Sequence, residues 1–485
     1  MNQLTLTEAA TAIARRETTA TALLESCLAA IDAHEHQVNA TIWIDREGAL
    51  QAAEAADHAT ATGQPLGPLH GVPLAHKDMY YQAGRVSTCG SAIRAGWTAP
   101  RTATVLDRLH AAGSVTFAGL NMAEFAQNPT GHNRHHGDCH NPWNLPYITG
   151  GSSSGSGAAV AARFTYAALG SDTGGSIRLP ASACGVTGLK PTQTRVSRAG
   201  VMPLSFSMDN VGPLARTAQD CARLMSVIAG PDPQDPTAAR NPVPDYEAAL
   251  TGTLAGQRIG LVTNPALVGT SPEITAAIEA ATRVLTARGA TVAPIALPLM
   301  DAVSAYVAVV SRAEAAAIHA RWMRDRPHDY AIHLSGRIYP GYAIPASYYI
   351  EALSARGPIL RAFCTEVFAT VDILALPTIP TPLPTLAETD IDANAGPRGE
   401  FGGDPAVLPR FMAVSANTRP FNYLGLPAIS LPCGFDANAC PIGLQLVARP
   451  FGEPRLLQAA DAYQRDTDWH ARLPPLDQRY RPRAP

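Results

Sequence analysis

Lysine is scarce in this 485-residue sequence: of 37 basic residues, only Lys77 and Lys190 are lysines. Arginine can hold any structural ion pair, but it does not give up its proton. A GC-rich coding bias, which also favours the plentiful Ala, Arg, Gly and Pro, accounts for the scarcity of lysine but not for the two that remain. The second feature is Gly150-Gly151-Ser152-Ser153-Ser154-Gly155-Ser156-Gly157, followed 24 residues after Ser152 by Ser176. A flexible Gly/Ser linker fits the composition, but an Ala-rich helix and a buried strand follow at once. Gly151–Gly155 fits the G-x-S-x-G of a nucleophile elbow centred on Ser153, although the preceding Pro146-Tyr147-Ile148-Thr149 is a weak strand. A phosphate loop lacks its G-x-x-x-x-G-K.

A fourth reading joins three places in the chain. Gly71-Val72-Pro73-Leu74-Ala75-His76-Lys77-Asp78, the Gly150–Gly157 segment and Gly170-Ser171-Asp172-Thr173-Gly174-Gly175-Ser176-Ile177-Arg178-Leu179-Pro180 together resemble the amidase signature family. Gly188-Leu189-Lys190-Pro191-Thr192 and Gly425-Leu426-Pro427-Ala428-Ile429-Ser430-Leu431-Pro432 extend the likeness over nearly the whole chain, apart from about 235–370. The resemblance implies a Ser-Ser-Lys triad, with Ser176 as nucleophile, Ser152 as proton relay and Lys77 as a base that must be neutral to act. It implies a cis peptide bond between Gly151 and Ser152. It also implies an oxyanion hole from the backbone N–H groups of Thr173, Gly174, Gly175 and Ser176. Asp172 and Arg178 are expected to pair and hold that loop, and Lys190 is expected to be structural.

For substrate contact the candidates are Gly151, Ser153, His135, Tyr339 and Tyr342. His135 belongs to a bunch, His132, His135, His136, Cys139 and His140, within nine residues. A metal site, a pocket-facing loop and a simply solvated loop all fit that bunch. The crowding leaves no distant ligand for a tidy tetrahedron, and the family needs no metal, so neither metal nor cofactor is expected. Tyr330, Tyr339, Tyr342, Tyr348 and Tyr349 cluster outside the clear match, where an aromatic lining for an acyl group and ordinary packing fit equally well.

The elements that must position these groups read as alternating helices and strands. Helical spacing covers 5–33, 102–112, 158–163, 216–229, 272–288 and 453–464. Apolar runs at 165–170, 258–263, 291–297, 371–376, 428–431 and 442–447 read as strands, and the Pro- and Gly-rich 377–404 as a long surface loop. The fold class is therefore α/β: one large domain with a central mixed β-sheet surrounded by helices. Within it, a catalytic core covers about 65–230, a variable specificity segment about 235–370 and a C-terminal sheet portion about 371–470.

A formal net charge of −3, with dispersed charges, gives no electrostatic footprint for nucleic acid. The N-terminus shows no signal peptide, no run approaches a membrane span, and the eight scattered cysteines suit reduced thiols. These features and the resemblance together suggest a cytoplasmic amidohydrolase acting on small amides or anilides, with esters or carbamates also within reach. Its partner is a small-molecule amide substrate, without nucleic acid or membrane, and a homodimer is left open. The alternatives are a urethane or carbamate hydrolase and the glutamine-hydrolysing A subunit of a tRNA-dependent amidotransferase. The A subunit usually carries an acid shortly before a Pro-x-Asn, and Val414–Asn422 has none.

Overall fold

A computed structural model describes residues 3–264, 267, 269–395 and 404–476. Eleven strands form one sheet: β1 (Thr41–Ile44), β2 (Pro73–Lys77), β3 (Val115–Leu120), β4 (Ala167–Asp172), β5 (Thr187–Lys190), β6 (Asn210–Ala215), β7 (Arg258–Val262), β8 (Thr291–Ile295), β9 (Ile373–Pro377), β10 (Ala428–Phe435) and β11 (Pro441–Ala448). Their order is β1-β3-β2-β4-β6-β5-β10-β11-β9-β7-β8. β3, β2 and β4 run parallel, as do β9, β7 and β8, while the strands between them pair antiparallel. The sheet is mixed and helices surround it, as the sequence pattern suggests. Central strands such as β4, β9 and β11 are buried throughout, which is why they read as continuous apolar runs rather than alternating ones.

The helix expected over 5–33 is two helices, Leu6–Ala14 and Ala20–Val38. The chain turns at Arg16, whose φ is 59°, and Thr19 caps the second helix through Ala22 N–H. Each half keeps apolar spacing, so periodicity alone cannot reveal the break. Thr5 caps the first helix in a reciprocal box with Glu8, while Thr7 donates to buried Asp220. The loop expected at 377–404 includes the short helix Leu386–Thr389, and its 396–403 portion lies outside the described residues. The variable segment holds β7, the helix Pro272–Ala287 and β8, and then the helices Met300–Asp325, Ile332–Tyr342 and Ala346–Glu366. Among the described residues, no helix is long and apolar enough to cross a membrane.

Two neighbouring parallel strands, β2 and β4, bring their C-terminal ends to the same sheet edge. Lys77 ends β2 and Asp172 ends β4, with the turn 173–177 leading into the helix Arg178–Ala183. The Gly/Ser segment packs beneath them: a Cβ on Gly155 would stand 2.3 Å from Ala40 O and 2.6 Å from Asn121 N, so only glycine fits that close approach.

Candidate active site

Lys77 is fully buried, and its Nζ donates to Ser152 Oγ at 2.7 Å and to Ser171 Oγ at 2.8 Å. Among the described residues, no carboxylate pairs with it. Burial pulls its pKa from the ordinary lysine range down to about 7, and the charges of Asp172 and Asp209 pull the other way too weakly to restore it. A lysine near neutrality, bonded to a serine hydroxyl, can accept and return a proton. Ser152 is fully buried, and the peptide bond before it, Gly151–Ser152, is cis. Ser176 is 8% exposed, and its Oγ makes no hydrogen bond among the described residues.

The turn carrying Ser176 is held from below. Asp172 accepts from Gly175 N–H (2.8 Å) and Ile177 N–H (3.2 Å), and takes Arg178 in a two-pronged ion pair at 2.9 and 3.0 Å. Burial alone would raise the carboxyl of Asp172, but the buried Arg178 guanidinium outweighs it and holds that carboxyl well below the usual range. Arg178 continues to Thr418 O, Gln445 Oε1 and Asn422 Oδ1, and Asn422 Nδ2 returns to Asp172. The expected pair is therefore the centre of a buried network.

That network corrects one expectation. The N–H of Gly175 is taken by Asp172, so it does not face an oxyanion. The N–H groups of Thr173, Gly174 and Ser176 have no partner among the described residues and remain free to donate. Gly175 instead lets the turn pass close to Thr418. Its φ is 129°, and a Cβ there would lie 2.3 Å from Thr418 Oγ1.

Ser153 lies behind the site rather than in it. Its Oγ faces the backbone of Ser171 and its N–H donates to Ser176 O, which also removes the elbow reading. Gly151 is buried, with its N–H on Pro129 O. His135 Nε2 donates to the buried Glu124 carboxylate at 3.0 Å, and that contact raises its pKa. His132 faces Asp138 and Thr389, and His140 faces Leu145 O, so the bunched histidines turn to separate partners. The tyrosines do not make one wall. Tyr330 is buried against His319 and Phe125, Tyr349 bonds Glu314, and Tyr339 and Tyr342 are 51% and 50% exposed on the helix Ile332–Tyr342. Lys190 is buried beside the network, donating to Pro191 O.

Sequence reasoning missed three contributors. Ser171, the second partner of Lys77, lies inside a quoted motif but carries no signal of its own. Asp209 accepts from Thr173 Oγ1 at 2.5 Å, and burial lifts its carboxyl to about 6. Thr418 donates to Gly174 O at 2.6 Å. A cleft of about 880 Å³, including space open to solvent, reaches Ser171 and Asp209 and is bordered by exposed Phe206.

The family model described as Amidase matches residues 22–457. The chain is 42% identical to the glutamyl-tRNA(Gln) amidotransferase A subunit of Chloroflexus aggregans, over 98% of this chain and 99% of the relative. Among solved structures, it is 34% identical, with a TM-score of 0.87 over 95% of this chain and 98% of the other, to a chain from a vestigial protein complex described as revealing the evolutionary origins of an s-triazine catabolic enzyme. A 6-aminohexanoate cyclic dimer hydrolase gives 29% identity and a TM-score of 0.86 over 98% and 99%. The likeness to an amidotransferase chain named for a tRNA overturns the expectation of a partner set without nucleic acid. Charge dispersal reports the field of one chain and is silent on contacts an assembly makes through another.

Proposed function

The chain belongs to the amidase family, and from that premise we propose that it cleaves the C–N bond of a carboxamide through an acyl-enzyme on Ser176. Neutral Lys77 draws a proton from Ser152, and Ser152 draws one from Ser176 as its Oγ attacks the carbonyl carbon. The N–H groups of Thr173, Gly174 and Ser176 receive the charge that develops on the carbonyl oxygen; donors of this kind are each worth about 2.7–4 kcal/mol of barrier. The proton returns through Ser152 to the leaving nitrogen, the C–N bond breaks and ammonia or an amine departs. Water, activated by the same relay, then releases the acid. The contact between Ser152 and Ser176 closes when Ser176 turns inward; such contacts are often loose without substrate.

The observation that carries this reading is a fully buried lysine, 2.7 Å from Ser152, with no carboxylate paired to it among the described residues. Arginine cannot take that role. The full-length similarity to amidotransferase A subunits supports a more specific form, in which the chain works in an assembly and its ammonia is passed to glutamyl-tRNA(Gln). Fluorophosphonate labelling tests the shared chemistry: we expect one labelled site, abolished by Ser176→Ala, together with ammonia release from carboxamides. Labelling that persists in Ser176→Ala refutes it. Co-purification with other subunits and tRNA tests the assembly.

A further inference from the structure

Two carboxylates outside the proposed triad hold one turn, Leu204–Asp209, which is closed by Asp209 N–H on Ser205 O. Asp209 grips it from within, accepting from Leu204 N–H at 2.9 Å and from Ser205 N–H at 3.0 Å. Glu314, 3% exposed on the helix Met300–Asp325, grips it from the variable segment. It accepts from Ser205 Oγ, from Ser207 N–H at 3.1 Å and from Tyr349 Oη at 2.9 Å. Arg356, in the same segment, donates to Ser207 O at 2.6 Å.

The same Asp209 carboxylate reaches the Ser176 turn. Asn210 pairs with Asp172 in the β4–β6 ladder, so Asp209 and Thr173 are the next residues along the two strands and stand across from each other. Thr173 Oγ1 donates to Asp209 at 2.5 Å, and hydroxyl-to-carboxylate bonds are among the stronger hydrogen bonds. Threonine is β-branched and stiff about χ1, so holding Oγ1 also holds the backbone that bears its N–H. Asp172 and Thr418 secure the later part of the Ser176 turn, at Gly174, Gly175 and Ile177. Asp209 secures its start, where the first of the free N–H groups lies.

We propose that Asp209 is a positioning residue: through Thr173 Oγ1 it aims the Thr173 N–H at the substrate carbonyl oxygen, and Glu314 stiffens the turn that carries it, so that the variable segment sets the rate of attack without touching the substrate. The proposal rests on the acyl-enzyme reading of Ser176. A donor displaced from that oxygen costs rate rather than binding, because the charge it meets forms only in the transition state.

Fluorophosphonate inactivation of the full-length protein measures this, since the phosphonyl oxygen takes the place of the carbonyl oxygen. The maximal rate, kinact, reports the transition state, and the half-saturating concentration, KI, reports binding. Rates are taken at about pH 9, above the range in which Lys77 charges, because removing the Asp209 carboxylate also alters the field at that amine. Thr173→Val keeps the backbone N–H and loses the hydroxyl; kinact is expected to fall about ten- to hundredfold with KI within about twofold. Thr173→Ser is expected to recover most of that fall. Asp209→Asn is expected to lower kinact about tenfold by itself but less than about twofold in the Thr173→Val background, and Glu314→Gln to be masked there in the same way. An unchanged kinact in Thr173→Val, a change confined to KI, or losses that multiply in full in the double variants overturns the proposal. If an Asp209 or Glu314 variant does not fold, the Thr173→Val and Thr173→Ser pair decides it. Labelling that persists in Ser176→Ala refutes the acyl-enzyme reading itself. Labelling abolished in Ser176→Ala, with kinact unchanged in Thr173→Val, refutes only the role of Asp209.

Discussion

At the scale of the residue, the proposed relay depends on one amine being uncharged. Burial holds the Lys77 pKa near 7, and only the neutral form accepts a proton. The expected kcat/KM therefore falls about tenfold for each pH unit below about 7 and levels off above it, because acid charges the base. Lys77→Arg is expected to be nearly as damaging as Lys77→Ala, since a guanidinium in that pocket stays charged. Near-normal rates for Lys77→Arg, or a profile flat down to about pH 5, would contradict the neutral base. Lys77, Ser152 and Ser176 are legible in the sequence because a rare residue type and two dense motifs mark them. Ser171 is one serine in a motif full of small residues, and its role comes only from the 2.8 Å contact. Asp209 and Thr418 are ordinary residues far along the chain, and only folding brings them to Thr173 and Gly174. Gly175 is misleading in sequence because a glycine in a turn signals close approach without saying to what; here the neighbour is Thr418 and the N–H is already taken.

At the scale of the element, the Ser176 turn depends on the carboxylate of Asp172, which binds two N–H groups of the turn and the guanidinium that follows it. Asp172→Asn leaves Arg178 buried without its charge partner. Breaking a buried pair from one side costs about 3–5 kcal/mol, so a clear fall in melting temperature and loss of Ser176 labelling are expected together. An unchanged melting temperature would mean that the network contributes little. Strands such as β9 and β11 are legible as apolar runs because both faces are covered. The helix Met300–Asp325 escapes notice for the opposite reason. Its inward positions Val303, Val307, Val310 and Glu314 keep helical spacing, but alanines and valines also occupy its other faces, so the contrast is weak.

At the scale of the whole molecule, the site is assembled from both ends of the chain. Lys77 and Ser176 come from the first half, while Thr418, Asn422 and Gln445 secure the turn through Arg178 from beyond residue 417. β10, which carries this later part into the sheet, pairs with β5 just after the segments that hold Ser152 and Ser176. A chain ending at residue 416 would retain every proposed catalytic residue and lose the outer half of their support. It is expected to give no fluorophosphonate labelling at Ser176, measured beside the full chain; normal labelling would show that the N-terminal part organises the turn alone. On that expectation the buried Asp172–Arg178 network ties the reactivity of one serine to partners about 240 to 270 residues further on, so a product cut between them would carry the proposed catalytic groups without a serviceable turn.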